Sequence, residues 1–429
     1  MAYAEWDEVF SMIVIDGPAE LGGELRIQGA KNSALPLLAA TVLCKGQTVL
    51  HNCPRLSDVD TAVEILEHLG SRCRWEGGSL VVDHAMTCCQ VPPELMREMR
   101  SSIVFLGPIV SRCGQAELCF PGGCELGPRP IDLHIDALRR LGVDIEDSGG
   151  RLYCCAPEGI RGTYISLAFP SVGATENVML AAACSQGTTV IANAAREPEI
   201  VDLASYLNRC GARIYGAGES CVIIDGVKEL YGCEHTVMPD RIATVTYMAA
   251  AAVTGGCVTL RDVDNTHILP MLGPFEQAGC AVRQLGGALS IMAPRRLNAV
   301  RHIRTMPYPG FPTDAQPVVM SMAALGRGTS IFVETIFENR YKHAEGLERL
   351  GAKIKVEGKV AIVEGVDQLR GAPVMSHDLR GGAALVVAGL AAQGRTQVGG
   401  VEYIRRGYEN LAGNLADLGA RIREVEDAP

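Results

Sequence analysis

The chain has few aromatic residues, no long apolar run and no export signal. Phe, Trp and Tyr make up 5% of the 429 residues. A membrane-spanning helix needs about 20 apolar residues in succession, and no apolar run in this chain approaches that length. The N-terminus also lacks the basic stretch and continuous apolar core of a secretory signal. We therefore expect a cytoplasmic protein that has no contact with a membrane.

Metal-binding motifs are also missing. None of the 16 cysteines forms a CxxC pair, and the nine histidines show no HExxH motif. Structural zinc sites present such spacings, whereas disulfide frameworks belong to small secreted domains that cannot build a core. A chain of this length can build its own core. We expect a reducing compartment, no bound metal and no cofactor.

The charge balance argues against a nucleic-acid partner. Lys and Arg number 39 against 49 Asp and Glu, which gives a net charge of -10. A polyanion would meet a surface of the wrong overall sign, although a locally basic pocket for a small anion is compatible with this balance. Hydrophobic residues at 48% and charged residues at 21% are typical of a well-packed protein, and the length predicts two hydrophobic cores.

An internal repeat organises the chain. Glycines that follow an amphipathic helix and precede an alternating strand pattern recur at Gly70, Gly142, Gly211, Gly279, Gly351 and Gly419. Upstream of each amphipathic helix lies a second, Ala-rich helix that is apolar around its whole circumference. Such a helix should be buried, and the amphipathic helix should lie outside it. Six units of about 70 residues therefore predict an α/β fold of two domains with three units each.

Charged residues stand at equivalent helix starts within the repeat. The buried helices begin near Lys31, Arg100, Val172, Arg241, Asp314 and Asp378, and an Arg precedes or opens each outer helix at positions 55, 129, 196, 261, 340 and 406. Helix N-termini carry a partial positive charge, so several that converge with Lys and Arg would bind an anion. For Arg55, Arg196 and Arg261 we favour the plainer interpretation of a solvated or salt-bridged surface residue.

One loop predicts a reactive thiol. The segment 121–130 is rich in Gly and Pro and holds Cys124, with Arg129 five residues on. A nearby cation favours the thiolate form of a cysteine. We interpret the other fifteen cysteines as small buried hydrophobic residues. Asp314 and Asp378 could each be a helix cap or a catalytic carboxylate, and the local sequence leaves both interpretations open.

Ten segments together resemble the family of UDP-N-acetylglucosamine 1-carboxyvinyltransferases, which are enolpyruvyl transferases of the EPSP synthase family. The likeness extends from about residue 12 to residue 424. It rests on GAKN (29–32), MRSSI (99–103), PGGCELGPRPIDLH (121–134), SVGATEN (171–177), AAREPEIVD (194–202), PDRIAT (239–244), GFPTDAQ (310–316), FENR (337–340), HDLR (377–380) and RGYE (406–409). Tyr403 and Arg405 stand where many members of this family carry His and Asp.

The resemblance implies a two-domain, inside-out α/β barrel built from six βαβαββ units. It also implies that the N-terminal strand completes the second domain. We therefore expect one domain at 31–238, which carries the Cys124 loop, and another formed by 1–30 together with 239–429.

The resemblance further implies an enzyme that transfers the enolpyruvyl group of phosphoenolpyruvate to the 3′-hydroxyl of UDP-N-acetylglucosamine, with release of phosphate. This reaction is the first committed step of peptidoglycan synthesis. Asp314 would deprotonate the hydroxyl, Cys124 would deliver a proton and form an adduct, and Asp378 would assist proton movement. The cations that would hold phosphoenolpyruvate are Lys31, Arg129, Arg380 and Arg406, with Asn32 beside them.

For the nucleotide sugar the family pattern falls on further positions of this chain. They are Asn32, Arg100, Arg129, Pro130, Ile131, Asp132, Leu133, Val172, Gly173, Asp314, Ile336 and Arg340. A cysteine at position 124 implies sensitivity to the epoxide fosfomycin. We expect a monomer or a weak homo-oligomer.

Two other functions remain open at this point. An enolpyruvyl transferase of the same fold could act on shikimate 3-phosphate, although the PGGC loop argues against it. A protein that kept the fold could also bind a nucleotide sugar without turning it over. That possibility is disfavoured because the acid, the base and the anion-binding residues all occur in the sequence.

Overall fold

The computed structural model describes residues 11–122 and 131–426. The strands of the first half of the chain are β1 Ser11–Gly17, β2 Gly22–Arg26, β3 Cys44–His51, β4 Arg72–Glu76, β5 Ser79–His84, β6 Gln115–Cys119, β7 Asp144–Ser148, β8 Arg151–Cys155, β9 Tyr164–Ser166, β10 Thr188–Ala192, β11 Arg213–Tyr215, β12 Cys221–Asp225, β13 Leu230–Tyr231 and β14 Glu234–Thr236. The second half contributes β15 Cys257–Arg261, β16 Ala281–Leu285, β17 Ala288–Met292, β18 His302–Arg304, β19 Thr329–Val333, β20 Lys353–Glu357, β21 Val360–Glu364, β22 Pro373–Met375, β23 Gly394–Gly399 and β24 Ile422–Glu426.

Helices alternate with these strands. They are α1 Lys31–Thr41, α2 Ser57–His68, α3 Pro93–Glu98, α4 Leu106–Cys113, α5 Asp132–Arg140, α6 Val172–Ala182, α7 Pro198–Arg209, α8 Arg241–Thr254, α9 Asn265–Gln277, α10 Gln316–Ala323, α11 His343–Arg349, α12 Leu379–Ala391, α13 Val401–Arg405 and α14 Leu411–Asp417. Short 3-10 helices at Arg100–Phe105 and Thr313–Ala315 lead into α4 and α10. Within the described ranges, no helix is both long enough and apolar enough to span a membrane.

The Ala-rich helices are buried, as the sequence predicts. In α8, twelve of the 14 residues are buried, and α8, α10 and α12 pack against one another. Removing this much apolar surface from water is the main stabilising term available to the fold. The outer helices bury one face only: α7 buries Ile200, Leu203 and Leu207, while Arg209 is exposed.

The repeat appears as one sheet pattern used several times. In the third unit, β10 pairs in parallel with β9 and antiparallel with β12, and β12 pairs antiparallel with β11. The same order recurs in the sheets centred on β3, β15, β19 and β23. The six repeat glycines all have positive φ, between 90° and 111°, as the helix-to-strand turn requires.

The second unit departs from the expected βαβαββ pattern. Among the described residues, its sheet holds β6, β8 and β7, and the strand that should precede the buried helix is reduced to a single bridge between Gln90 and Glu117. Only Val91 separates Gln90 from Pro92, the N-cap of α3, and Pro93, its first residue, so the extended segment has no room to continue.

Strands near the N-terminus belong to sheets formed late in the chain. β1 lies between β23 and β24, and β2 pairs in parallel with β15. Conversely, β14 pairs with β3 just before the chain enters α8. The polypeptide therefore crosses twice between two groups of sheets, once between β2 and α1 and once between β14 and α8.

Two separate hydrophobic clusters follow from this connectivity. One runs from Ala34 to Val237, and the other joins Ile13 to Ile27 with residues from Ile242 to Ile422. We call the parts of the chain around them the first lobe and the second lobe. We propose that the domain boundaries lie at the two crossings, at 31–238 for the first domain and at 1–30 with 239–429 for the second.

The interpretation of fifteen cysteines as buried residues is wrong for most of them. Only six are buried, five are half-buried, and Cys113, Cys155, Cys221 and Cys257 are exposed. Three of these four lie on strands, where alternate side chains point to solvent, and Cys113 ends α4. The fifteen described cysteines are all free thiols.

Candidate active site

A cleft of about 1050 Å³ lies between the two lobes and is lined by residues of both. Several buried helices begin at this cleft. Lys31 opens α1, Val172 opens α6, Arg241 opens α8, and Leu379 opens α12. The N-terminal ends of helices from both lobes therefore face one space, which favours the binding of anions there.

The cleft brings together every described residue that the sequence predicts for the site. Those lining it are Lys31, Asn32, Arg100, Ile131, Asp132, Leu133, Val172, Gly173, Asp314, Ile336, Arg340, Asp378, Arg380 and Arg406. The predicted residues Cys124, Arg129 and Pro130 lie outside the described residues. Their assignments stay predictions.

Lys31 and Arg406 meet at one carboxylate that the sequence did not single out. Asp58 accepts from Lys31 Nζ at 2.6 Å and from Arg406 Nε at 2.7 Å. Burial lowers the pKa of Lys31, the positive charges of Arg406 and Arg380 lower it further, and Asp58 opposes this by raising it. Burial would raise the pKa of Asp58, but its ion pair with Lys31 and its hydrogen bonds from Arg406 hold that pKa below its usual value.

Asp314 lies between two arginines. Arg340 donates from Nη2 to Oδ1 at 3.1 Å, and Arg380 donates from Nε to Oδ2 at 3.4 Å. Arg340 also donates to the backbone carbonyl of Thr313. Asp314 sits in the 3-10 helix that leads into α10, and the N-cap positions of that 3-10 helix and of α10 are Pro312 and Ala315.

Arg380 is a nearly buried cation with an unused donor. Its side chain is 3% exposed, and among the described residues its Nη1 has no hydrogen-bond partner. Burying such a donor is costly unless a partner arrives. Burial would lower the pKa of Arg380, but electrostatic interactions with Tyr408, Asp314 and Asp240 raise it, so the guanidinium stays charged. The arrangement suits an anionic ligand.

Asp378 has the capping role, one of the two interpretations that the sequence left open. It caps α12 by accepting from the backbone N–H groups of Arg380 and Gly381, and its Oδ1 lies 3.7 Å from Arg340 Nη1. His343 lies behind it. Burial lowers the pKa of His343 to about 4, which keeps that imidazole neutral at physiological pH.

The other end of the cleft is formed around the start of α6. Gly173 lies so close to His134 that a Cβ atom there would come within 3.0 Å of the His134 ring. Nδ1 of His134 pairs with Asn177 Nδ2, and burial lowers the pKa of this histidine to about 4. A glycine is therefore needed where the chain passes over the ring to begin the helix.

The sequence does not single out a second group of acidic residues in the cleft. Glu176, Glu197 and Glu199 line the cleft, and Glu199 holds Arg241 through two hydrogen bonds of 2.9 and 3.2 Å. Burial raises the pKa of Glu176 well above its usual value, and the charges of Glu199 and Glu197 add to the effect. Burial also raises the pKa of Glu197, whose carboxylate accepts from the backbone N–H of Tyr308.

One sequence signal could have indicated Glu176: it is a carboxylate within an otherwise apolar helix. Asp58 gave no such signal, because an acidic residue in the first turn of an outer helix is ordinary. Its two partners come from α1 and from the end of α13, and only the folded chain brings them together.

The three arginines that we interpreted as surface residues do not line the cleft. Arg55 stacks on the Trp75 ring at 4.2 Å, Arg196 pairs with Glu219, and Arg261 pairs with Glu24. Arg405 likewise points away and pairs with Glu424, whereas Tyr403 lines the cleft. The charge at position 405 therefore acts at the surface of the second lobe.

Comparison with known proteins gives consistent matches along the whole chain. The family model described as EPSP synthase (3-phosphoshikimate 1-carboxyvinyltransferase) matches residues 15–415. UDP-N-acetylglucosamine 1-carboxyvinyltransferase 2 of Caldanaerobacter subterraneus is 50% identical over 412 residues, which cover 96% of this chain and 99% of that protein. UDP-N-acetylglucosamine 1-carboxyvinyltransferase 1 of Symbiobacterium thermophilum is 48% identical, with 96% and 95% covered.

Solved structures share the fold. The enolpyruvyl transferase NikO from Streptomyces tendae superposes with a TM-score of 0.89 at 25% identity and covers 98% of this chain and all of its own. An EPSP synthase from Acinetobacter baumannii superposes with a TM-score of 0.77 at 18% identity, with 97% of this chain and 100% of that one covered. The inside-out α/β fold that the family resemblance implies is thereby confirmed. The chain belongs to the EPSP synthase family, within which it groups with the UDP-N-acetylglucosamine 1-carboxyvinyltransferases.

Proposed function

We propose that the protein transfers the enolpyruvyl group of phosphoenolpyruvate to the 3′-hydroxyl of UDP-N-acetylglucosamine and releases inorganic phosphate, as the first committed step of peptidoglycan synthesis. One observation carries this proposal: a carboxylate, Asp314, and three cations, Lys31, Arg380 and Arg406, line one cleft between two lobes. The charges of Arg406 and Arg380 act on Lys31, and that of Asp314 acts on Arg380, so the four groups are electrostatic neighbours.

The reaction needs a base, an acid and a set of cations. The sugar oxygen forms a bond to C2 of phosphoenolpyruvate while its proton leaves and the methylene carbon gains one. Loss of phosphate and of one proton from the new methyl group then restores the double bond. Atoms and electrons balance without any cofactor or metal.

Asp314 is our candidate for the group that takes the hydroxyl proton. Its carboxylate faces the cleft and is held in place by Arg340 and Arg380. A base must lie within hydrogen-bond reach of its proton, and two fixed contacts limit the positions that this carboxylate can adopt. Asp378, held by its cap to α12, is our candidate for assisting proton movement.

Cys124 is our candidate for the proton donor to the methylene carbon and for the site of the family's covalent adduct. We propose that Arg129 holds phosphoenolpyruvate together with Lys31, Arg380 and Arg406, with Asn32 beside them. Three described cations of this set face the cleft and supply the positive field that a phosphate and a carboxylate need.

We place the nucleotide sugar along the first lobe. Arg100, Ile131 to Leu133, Val172 and Gly173 line that side of the cleft, and Ile336 and Arg340 face them from the second lobe. The helix N-terminus at Val172 offers backbone N–H groups to a diphosphate. Asn32, Arg129, Pro130 and Asp314 complete the proposed set.

The acceptor is the point on which the two named groups of relatives differ. The family model carries the name of the 3-phosphoshikimate enzyme, whereas relatives at 43 to 50% identity are named for UDP-N-acetylglucosamine. The higher identity over nearly the full chain favours the nucleotide sugar. We further propose that the protein works in the cytoplasm, as a monomer or a weak homo-oligomer.

Phosphate release from phosphoenolpyruvate, measured with each acceptor in turn, tests this proposal. We expect turnover with UDP-N-acetylglucosamine and background rates with shikimate 3-phosphate. Turnover with shikimate 3-phosphate alone would reverse the choice of acceptor. Binding of the nucleotide sugar without any phosphate release would instead indicate a non-catalytic protein.

A further inference from the structure

Asp58 occupies a junction between the two lobes that no motif of the sequence marks. It lies in the first turn of α2, in the first lobe, and its side chain is 4% exposed. Lys31 reaches it from α1 of the same lobe. Arg406 reaches it from the second lobe, just after α13, and uses both Nε and Nη2, at 2.7 and 3.3 Å.

A buried carboxylate of this kind requires an explanation. Removing a charge from water costs several kcal/mol unless a partner compensates for it, and here one carboxylate serves two cations. Lys31 and Arg406 carry like charges and would repel each other in the same cleft, and Arg380 adds a third positive charge nearby. Asp58 supplies the negative charge that allows Lys31 and Arg406 to approach one another.

The contacts also fix geometry. Arg406 presents one edge of its planar guanidinium to the carboxylate, so the direction of the other edge is determined. Lys31 contacts Oδ2, the same oxygen that accepts from Arg406 Nη2, so the ammonium and the guanidinium share a single oxygen atom. A phosphate or carboxylate that binds both cations would find their separation already set.

We infer that Asp58 is a positioning residue for the enolpyruvyl transfer: it holds Lys31 and Arg406, from opposite lobes, at the spacing that phosphoenolpyruvate requires. The inference rests on the proposed function, because it assigns a role to Asp58 through the two cations that we propose bind this substrate. It assigns no contact between Asp58 and the reacting atoms.

The charge of Asp58 has a second consequence. Arg406 and Arg380 lower the pKa of Lys31, as burial does, whereas Asp58 raises it. Removal of the Asp58 charge should therefore lower the pKa of Lys31 further. The alkaline limb of kcat/KM for phosphoenolpyruvate, which reports the loss of a required proton in the free enzyme, should move to lower pH.

The test uses three variants of the full-length protein. Asp58→Asn removes the charge but keeps the shape, and Asp58→Glu keeps the charge but moves it by one methylene. Asp60→Asn is the matched control, because it removes one carboxylate from the exposed side of the same helix, outside the cleft. Steady-state rates over a range of pH are measured for each, with UDP-N-acetylglucosamine saturating.

Asp58→Asn should lower kcat/KM for phosphoenolpyruvate by on the order of 10²-fold, as small displacements of catalytic groups do, and should shift the alkaline limb downward. Asp58→Glu should also lower kcat/KM but leave the limb near its wild-type position. Asp60→Asn should match the wild type in both respects. If Asp58→Asn does not fold, Asp58→Glu still decides, because displaced cations must lower kcat/KM.

Wild-type behaviour of Asp58→Asn or of Asp58→Glu would overturn the inference. A loss of rate in Asp58→Asn without movement of the alkaline limb would overturn it too, since a merely structural defect gives that result. These outcomes differ from failure of the proposed function, which would appear as absence of phosphate release in the wild-type protein itself.

Discussion

Arg380 donates a hydrogen bond through Nε to Oδ2 of Asp314 at a distance of 3.4 Å. The two residues come from different repeats: Asp314 precedes the buried helix α10, and Arg380 lies in the first turn of the buried helix α12. Because equivalent helices of neighbouring repeats pack side by side, equivalent N-termini meet, and side chains that are distant in the sequence share one cleft. The repeat architecture thus creates the site.

Substitution of Asp314 by Asn should abolish most of the turnover and leave the affinity for the nucleotide sugar nearly unchanged. The amide keeps the shape of the side chain but cannot take a proton, and general bases contribute about 10²- to 10⁴-fold to rates. Phosphate release measures the first quantity, and calorimetric titration with UDP-N-acetylglucosamine measures the second. Asp367→Asn, at a side chain that is 99% exposed, is the control. Near-wild-type turnover of Asp314→Asn would remove it as the base.

Substitution of Arg380 by Lys should raise KM for phosphoenolpyruvate by about 10- to 100-fold, the effect of one lost hydrogen bond to a charged ligand. A lysine keeps the positive charge but lacks Nη1, the buried donor for which the described residues supply no partner. Steady-state kinetics with the nucleotide sugar saturating give the value.

Arg349→Lys is the matched control for this change, because Arg349 is an exposed arginine of α11. It should leave KM unaltered. An unchanged KM in Arg380→Lys as well would show that phosphoenolpyruvate does not use this donor.

Fosfomycin should modify Cys124 and no other cysteine. A thiolate opens the epoxide by forming a carbon–sulfur bond while the carbon–oxygen bond breaks and the oxygen takes up a proton. Mass spectrometry of the intact protein should show one added inhibitor, and peptide mapping should place it at Cys124. Iodoacetamide, which needs only access, should label the exposed Cys113, Cys155, Cys221 and Cys257.

The variant Cys124→Ala tests whether fosfomycin reacts at Cys124. It should lose both the fosfomycin adduct and turnover while it keeps nucleotide-sugar binding, because the change removes a proton donor rather than a ground-state contact. An adduct on any other thiol, or none at all, would contradict the assignment of Cys124.

Substitution of Glu176 by Gln should stabilise the protein increasingly as the pH rises. Burial raises the pKa of Glu176 in the folded protein above the ordinary value near 4.3. At pH values between the unfolded-state pKa and the folded-state pKa of Glu176, the folded protein keeps a proton that the unfolded chain has released. The free energy of unfolding therefore falls as the pH increases through this range. Gln does not titrate and avoids this loss, which is about 1.4 kcal/mol for each unit of pKa shift.

Urea unfolding at about pH 5 and about pH 8 measures how the Glu176→Gln substitution changes the free energy of unfolding. The gain of Glu176→Gln over the wild type should be larger at the higher pH. Glu364→Gln, which removes a carboxylate from an exposed strand position, is the control and should show no such growth. An equal gain at both values would contradict the raised pKa.

Those parts of the fold that depend on local chemistry could be predicted from the sequence. The six repeat glycines mark turns because positive φ excludes most other residues, and the apolar helices must be buried wherever the chain places them. The missing strand of the second unit could not be predicted, because its absence depends on how Pro92 and Pro93 start α3 beside the sheet.

Some residues of the candidate site could also be selected from the sequence, and others could not. Lys31, Asp314 and Arg380 stand in family motifs at helix starts, and the structure places all three in the cleft. Asp58 and Glu176 were missed because their surroundings are assembled from distant parts of the chain; Arg406 lies 348 residues from Asp58. The exposed cysteines were misassigned because strand alternation decides burial and residue type alone does not.

The proposed reaction joins C2 of phosphoenolpyruvate to the 3′-oxygen of UDP-N-acetylglucosamine. Nuclear magnetic resonance of the product made from phosphoenolpyruvate labelled with carbon-13 at C2 tests it most directly. We expect a long-range correlation between the labelled carbon and the proton at C3′ of the sugar, with one phosphate released for each product formed. Label that stays in phosphoenolpyruvate, appears only in pyruvate, or becomes attached at another position would contradict it.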